Sequence, residues 1–292
     1  MAGHLTEALR LVLLPTLRAK LQGDYRTGKR INLKKVIPFI ASDFKKDKIW
    51  LRRSQPSKRA YQIVLAIDNS LSMTSIGAAP YAKQALCMLW KALAQLEVGE
   101  VGVARFGDGP GPKGCSLVHT LDVPLTEQAG ASVLSQFTFR ASPPAGGGGR
   151  PAGERGPFEE MLVQSVRALA EARARASHAS KDTVQLLLIV SDGRVLGEWD
   201  AVGRRVREAL EQHILPVLIL LDPVVPAGQP GAGHSILDMK RVVFANKGAG
   251  PQMLAMLDDY PLPFYLLCRH LPSLPNTLAD ALTQWFQLVN SD

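Results

Sequence analysis

Beyond residue 60 the chain alternates short apolar runs with stretches whose apolar residues recur every three or four positions. Residues 61–67, 101–106, 183–190, 216–221 and 263–267 are predicted strands. The central runs are almost continuously apolar, as strands covered on both faces must be. Residues 78–96, 158–176, 199–213, 251–257 and 277–289 have helical spacing. Strands that alternate with helices predict an α/β fold with a doubly wound, mostly parallel sheet, and residues 116–122 fit an antiparallel edge strand. Ligands of such sheets sit at the carboxyl ends of the strands, where strand order reverses.

The first 60 residues differ. Leu5, Leu9, Val12, Leu13 and Leu17 have the spacing of an amphipathic helix, and Leu33, Val36, Ile37 and Ile40 predict a second, shorter one. Residues 1–60 therefore read as a partly helical extension that packs by these faces on a main domain of residues 61–292. Residues 140–156 are dominated by Ala, Pro and Gly and cannot bury a core; they, and residues 224–234 on a smaller scale, read as flexible insertions.

Charge sharpens this division. The net charge is +8, but residues 1–60 hold 15 Lys/Arg against 4 Asp/Glu, a net of +11, which leaves −3 for the rest. The basic character belongs to the extension, which suits contact with rRNA, an acidic protein face, or simple solvation. Aromatic residues for base stacking are sparse there: Tyr25, Phe39, Phe44 and Trp50. Three separated cysteines, Cys87, Cys115 and Cys268, form no C-x-x-C pair and read as reduced thiols of an intracellular protein. No apolar run approaches the roughly 20 residues of a membrane span, so no membrane association is expected.

The segment Gly23 to Arg30 (GDYRTGKR) matches the first seven positions of a phosphate loop. A working loop follows a buried strand, opens a helix and ends in Ser or Thr to reach magnesium. Here a helical pattern precedes it and Arg30 follows the lysine, so the match is rejected. The six histidines show no zinc-ligand spacing.

Chemistry concentrates after two of the apolar strands. Directly after residues 63–67 comes Asp68-Asn69-Ser70-Leu71-Ser72. A chain leaving a sheet edge in extended form aims alternate side chains at one point, so Asp68, Ser70 and Ser72 converge. Residues 186–190, the most apolar strand, end at Ser191-Asp192-Gly193-Arg194. Asp192 then tops a neighbouring strand. Two carboxylates brought together repel unless a cation lies between them, and hard oxygen ligands favour Mg2+ or Mn2+. Individually, Ser70 or Ser72 could cap a helix and Asp68 could be a turn residue. Met73, Phe106 and Arg194 are the expected neighbours of the site and candidates for partner contact.

Asp68-x-Ser70-x-Ser72 and Ser191-Asp192-Gly193 resemble the metal-ion-dependent adhesion site of von Willebrand factor A-type domains. That resemblance implies metal ligation by Asp68, Ser70, Ser72 and Asp192, with no catalytic residue. Such domains usually add a Thr from the loop after the third strand; between Phe139 and Phe158 this chain has no Thr, and Ser142 is the only hydroxyl. The flanks are similar to something narrower. GDYRTGKR, then PFIAS at 38–42, KDKIWLRR at 46–53 and PSKR at 56–59, with PLPFY at 261–265 and LPNTL at 274–278, resemble the carboxyl-terminal region of the midasin family. These are nuclear AAA-type ATPases of large ribosomal subunit assembly. The resemblance implies a piece of a longer protein whose ATPase ring lies outside this sequence. It also implies capture of the ubiquitin-like domain of an assembly factor on the pre-60S particle, coupled to the ATPase for maturation and nuclear export. Two rivals are an RNA-docking module on an A-type scaffold and a haloacid dehalogenase-type phosphohydrolase. The second needs an Asp two positions after Asp68, where Ser70 stands.

Overall fold

The computed structural model describes residues 2–13, 21–53, 60–107, 114–140, 155–176, 183–194, 199–224, 235–244, 251–258 and 260–289. In chain order the elements are α1 (Ala2–Leu13), β1 (Leu21–Tyr25), β2 (Arg30–Ile31), α2 (Leu33–Ala41), β3 (Trp50–Arg53), β4 (Tyr61–Asp68), α3 (Leu71–Ser75), α4 (Ala79–Leu96), β5 (Gly99–Phe106) and β6 (Cys115–His119). There follow α5 (Glu127–Ser135), α6 (Pro157–Arg175), β7 (Val184–Ser191), α7 (Trp199–Glu211), β8 (Ile214–Leu221), β9 (Lys240–Phe244), β10 (Pro251–Ala255), β11 (Tyr265–Cys268) and α8 (Leu274–Val289). The chain divides into two compact units, one of residues 1–13 with 60–292 and one of residues 14–59.

The larger unit is built on a six-stranded sheet of order β11-β8-β7-β4-β5-β6. All its pairings are parallel except that of the edge strand β6 with β5. Every residue of β4 and β8 is buried, which is why these strands lack polar alternation. Val64, Ala66, Leu187 and Ile189 share one core with Met161, Leu162 and Leu169 of α6 and Val202 and Val206 of α7. Strand alternation sends Ile63, Leu65 and Ile67, equally buried, to the opposite face, where α4 contacts β4. Chain order runs outward from β4 through β5 to β6, then returns to β7 on the other side of β4. Strand order therefore reverses between β4 and β7.

Helix α1 packs on α4 and α8 through Leu5, Leu9 and Leu13, each at most 1% exposed. The Tyr61 hydroxyl donates to the Leu13 carbonyl at 2.7 Å in the buried interior. The first helix thus belongs to the larger unit, and the smaller unit comprises residues 14–59. The smaller unit carries an antiparallel sheet of order β1-β3-β2 beside α2. That sheet is illegible in the sequence because β2 has two residues and β3 (WLRR) no apolar alternation. Leu33, Ile37 and Ile40, expected to pack inward, are 81%, 75% and 58% exposed. The GDYRTGKR segment runs from β1 into β2 of this antiparallel sheet, an arrangement unlike a strand-to-helix phosphate loop.

A second departure is residues 251–257. Met253, Leu254, Met256 and Leu257 mimic helical spacing, yet residues 251–255 form β10, paired antiparallel with β9 from Pro251↔Phe244 to Ala255↔Lys240. Pairing with the preceding strand overrides the local pattern here. Residues 141–154 and 225–234, which hold most of the two expected insertions, lie outside the described residues, as does Ser142. All three cysteines are unpaired, with Cys115 and Cys268 buried. Among the described residues no helix is long and apolar enough to cross a membrane.

Leu9 tests whether α1 is integral to this core. Leu9→Ala should cost about 3 kcal/mol of unfolding free energy, as for a leucine of a packed interior. Urea denaturation followed by circular dichroism measures it, and an unchanged midpoint would mean that α1 is not docked.

Candidate metal centre

Register brings the first pair of groups together. Ile67 of β4 lies opposite Val190 of β7, so the next residues, Asp68 and Ser191, stand level at the carboxyl edge. The Ser191 hydroxyl accordingly donates to Asp68 Oδ2 at 2.6 Å, and the Ser70 amide donates to Asp68 Oδ1 at 2.9 Å. Asp192 follows one residue later. Its Oδ1 accepts from the Arg194 amide at 3.0 Å, an Asx turn that holds the carboxylate at the strand end. Asp68 and Asp192 are 6% and 2% exposed.

These carboxylates are electrostatically linked. Burial, and then the charge of Asp192, push the Asp68 pKa from 3.8 up to about 7, against the lowering effect of the Ser191 and Ser70 hydrogen bonds. Desolvation and like charge outweigh the donors. Among the described residues, Asp192 Oδ2 is buried with no hydrogen-bond partner, and Arg194 Nε stands 3.8 Å away. A buried carboxylate oxygen of this kind ordinarily has a partner.

The two serines lean the same way. Ser70 occupies the N-cap position of α3, yet its hydroxyl makes no capping bond. It lies 2.8 Å from the Ser72 hydroxyl instead. The capping alternative for Ser70 is therefore absent, and the two hydroxyls sit side by side. Two carboxylates plus two hydroxyls suit a hard divalent cation: the oxygens are of the right class, one is orphaned, and added positive charge would relieve the repulsion. Among the described residues no group of three or more His, Cys, Asp or Glu side chains forms a metal cluster. A cation here would rest on this mixed carboxylate–hydroxyl set, with Asp68, Ser70, Ser72 and Asp192 as its holders.

Two glycines shape the walls. Gly193 has φ 76°, and a Cβ there would meet Leu220 at 2.2 Å and Ile236 at 2.7 Å. Gly107, just past the end of β5, has φ 112°, and a Cβ there would come within 2.8 Å of the Ser70 nitrogen. Beside it the Asn69 amide donates to the Phe106 carbonyl at 2.7 Å.

Some residues expected at the rim are not there. Met73 is 0% exposed and Phe106 2%, the latter packed edge-on against Phe158 at 5.5 Å. Both are expected from the sequence to contact a partner; the helix turn and the β5 pleat direct them into the core, so neither presents a side chain to one. Arg194 keeps its place, with a side chain 19% exposed beside Asp192.

The structure also adds residues that spacing does not single out. Asn69, the unassigned position of the motif, is buried, and its Oδ1 accepts from the Phe139 amide at 2.9 Å. Thr74 donates to the Phe139 carbonyl at 2.9 Å. Together they tether Phe139, in the chain between α5 and α6. Tyr260 donates to the Gly193 carbonyl at 3.0 Å, and its own pKa is raised by burial and then by the charges of Asp192 and Asp68. A third acid, Asp222 after β8, is fully engaged: it accepts from the Ser235 hydroxyl and Ile236 amide at 2.8 and 3.2 Å, and Arg269 Nε lies 3.5 Å away.

No protein-family model matches the chain. Among solved structures, the pilus adhesin SpaC from Lactobacillus rhamnosus GG aligns over 79% of this chain and 31% of its own at 10% identity, TM-score 0.49. The SpRpn10 VWA domain aligns over 56% and 75% at 12% identity, TM-score 0.38. Curated relatives are much closer in sequence. Midasin of Dictyostelium discoideum is 37% identical over 100% of this chain, and midasin of Giardia intestinalis 38% identical over 99%. The chain spans only 4% and 5% of those proteins' lengths. The similarity runs from end to end of the chain, which is therefore homologous to one segment of midasin and carries an α/β fold with a mostly parallel sheet flanked by helices.

Proposed function

We propose that this chain is a metal-ion-dependent capture domain, in which Mg2+ or Mn2+ held by Asp68, Ser70, Ser72 and Asp192 binds an acidic side chain of a protein partner. The observation that carries the reading is the buried carboxylate pair, one member with an orphaned oxygen and the other with its proton retained to about pH 7. Bound there, the cation would supply Lewis acidity toward an incoming carboxylate. The protein's own part is to fix the oxygens: Ser191 and the Ser70 amide orient Asp68, the Arg194 amide orients Asp192, and Tyr260 pins the Gly193 turn. A ligand set with hydroxyls in place of further carboxylates leaves the cation short of negative charge, so an anionic ligand is favoured.

We further propose, from the resemblance of the chain to midasin, that the partner is the ubiquitin-like domain of a ribosome assembly factor and that binding couples it to an AAA-type ATPase during 60S maturation in the nucleus and nuclear export. Ser70, where a phosphohydrolase would need its general acid, favours binding over hydrolysis.

Asp68→Ala and Asp192→Ala should each abolish retention of such a ubiquitin-like domain while the circular dichroism spectrum stays that of the parent. EDTA should do the same to the parent protein. Capture that persists undiminished in EDTA would overturn the metal-dependent reading.

A pH experiment probes the site without a partner. In metal-free protein the folded state holds the Asp68 proton up to about pH 7, whereas the unfolded chain releases it near pH 3.8. The folded state binds more protons in that window, so the contribution of Asp68 to stability falls as pH rises from about 4 to 7. Asp68→Asn should flatten that slope. Millimolar Mg2+ should raise the melting temperature more at pH 8 than at pH 5, because the cation competes with the proton. A Mg2+ effect equal at both pH values, or present in Asp68→Asn, would count against the site.

A further inference from the structure

A second feature lies beside the carboxylate pair and plays no part in holding a cation. A cleft of about 770 Å³ opens between one face of α7 and residues 260–263, with Arg241 of β9 as its third wall. On α7 the lining includes Trp199, Gly203, Arg204 and Arg207. Arg204 and Arg207 are exposed, and among the described residues neither has an ion-pair partner. Their neighbour Arg205 is committed elsewhere, to Glu159 at 3.1 Å and Glu208 at 2.8 Å. Gly203 leaves open space where a side chain would stand. The Arg241 guanidinium stacks over the Trp199 ring at 4.5 Å and its Nη2 lies 3.5 Å from the Asp258 carbonyl; among the described residues lining the cleft the acid is Asp200.

We propose that this cleft is a docking site for an acidic peptide segment, one carrying consecutive Asp or Glu residues. Guanidinium groups pair with carboxylates through two parallel hydrogen bonds, and the exposed Arg204 and Arg207 stand here side by side on one turn of α7. A phosphate backbone offers similar chemistry, but single-stranded nucleic acid also needs free ring faces for stacking. Trp199 is covered on one face by Arg241 and meets Tyr260 edge-on at 5.2 Å, and Tyr260 meets Tyr265 at 5.9 Å, so these rings are already engaged with one another. The volume also falls in the range of sites that enclose a small ligand, about 300–1,000 Å³, too small for a duplex.

Tyr260 joins the two places: its hydroxyl contacts the Gly193 turn next to Asp192, and its ring lines the cleft. A partner whose carboxylate is captured at the sheet edge can thus lay an adjoining acidic stretch across Tyr260 into the arginines. That continuity rests on the capture reading, whereas the charge complementarity does not.

The test separates the two. Binding of a fluorescein-labelled octaglutamate peptide to the full chain is followed by anisotropy in low salt and in EDTA, so that no metal contributes. Parent protein should bind it, the double variant R204E/R207E should weaken binding at least tenfold, and K45E/K46E in the smaller unit should leave it within twofold. Mg2+-dependent capture of the ubiquitin-like domain, measured in parallel, reports on the other reading alone. The proposal is overturned if R204E/R207E binds the peptide as the parent does, or if K45E/K46E abolishes binding. A ten-residue uridine RNA that binds more tightly than the peptide through Arg204 and Arg207 would overturn it in favour of nucleic acid.

Discussion

Repulsion between Asp68 and Asp192 is the constraint around which the carboxyl edge of the sheet is organised. Both acids are buried, and Arg194 Nε stands 3.8 Å from Asp192 Oδ2. Placing one such group in a protein interior is costly, and placing two in mutual range raises the cost further. The fold tolerates them because three side-chain or backbone donors address them and because Asp68 can retain a proton. A divalent cation would replace that compromise with direct neutralisation.

The hydrophobic core makes this arrangement possible. Strands β4 and β7 are buried along nearly their whole length, so their register cannot slip without moving apolar side chains to the wrong face. Fixed register sets Ser191 level with Asp68. The reversal of strand order at the same point keeps the edge open above these two strands, since the connections from β4 and β7 lead away to opposite sides. Packing thus determines where the polar groups stand, and the polar groups determine what the edge can bind.

The parts of this architecture that are legible in the sequence share one property: their pattern is set by burial. The parallel strands and the long helices α4, α6 and α7 read correctly because each carries a continuous or 3.6-residue apolar signal. The Ser70 amide stands on Asp68 and the Ser70 hydroxyl beside that of Ser72 because a chain leaving a buried strand has little freedom. Elements governed by pairing with another strand do not read. β10 looks helical until β9 is known to lie beside it, and β1–β3 are too short and too charged to show alternation. At the site, Met73 and Phe106 are misplaced because adjacency in sequence says nothing about which way a side chain faces. Asn69, Thr74 and Tyr260 escape notice for a related reason: each acts on a backbone group 65 to 70 residues away, and no local spacing encodes that.

Asp222 gives the edge one further property. Three neighbouring strands, β4, β7 and β8, each run out into an aspartate, and a sheet with three bare acids along its rim would attract cations broadly. The Ser235 hydroxyl, the Ile236 amide and Arg269 quench the third. Among the described residues the acids left to shape the field at the ends of these three strands are Asp68 and Asp192. A cation bound as proposed would be drawn to that pair ahead of the rim as a whole, so discrimination by position would precede discrimination by ligand chemistry.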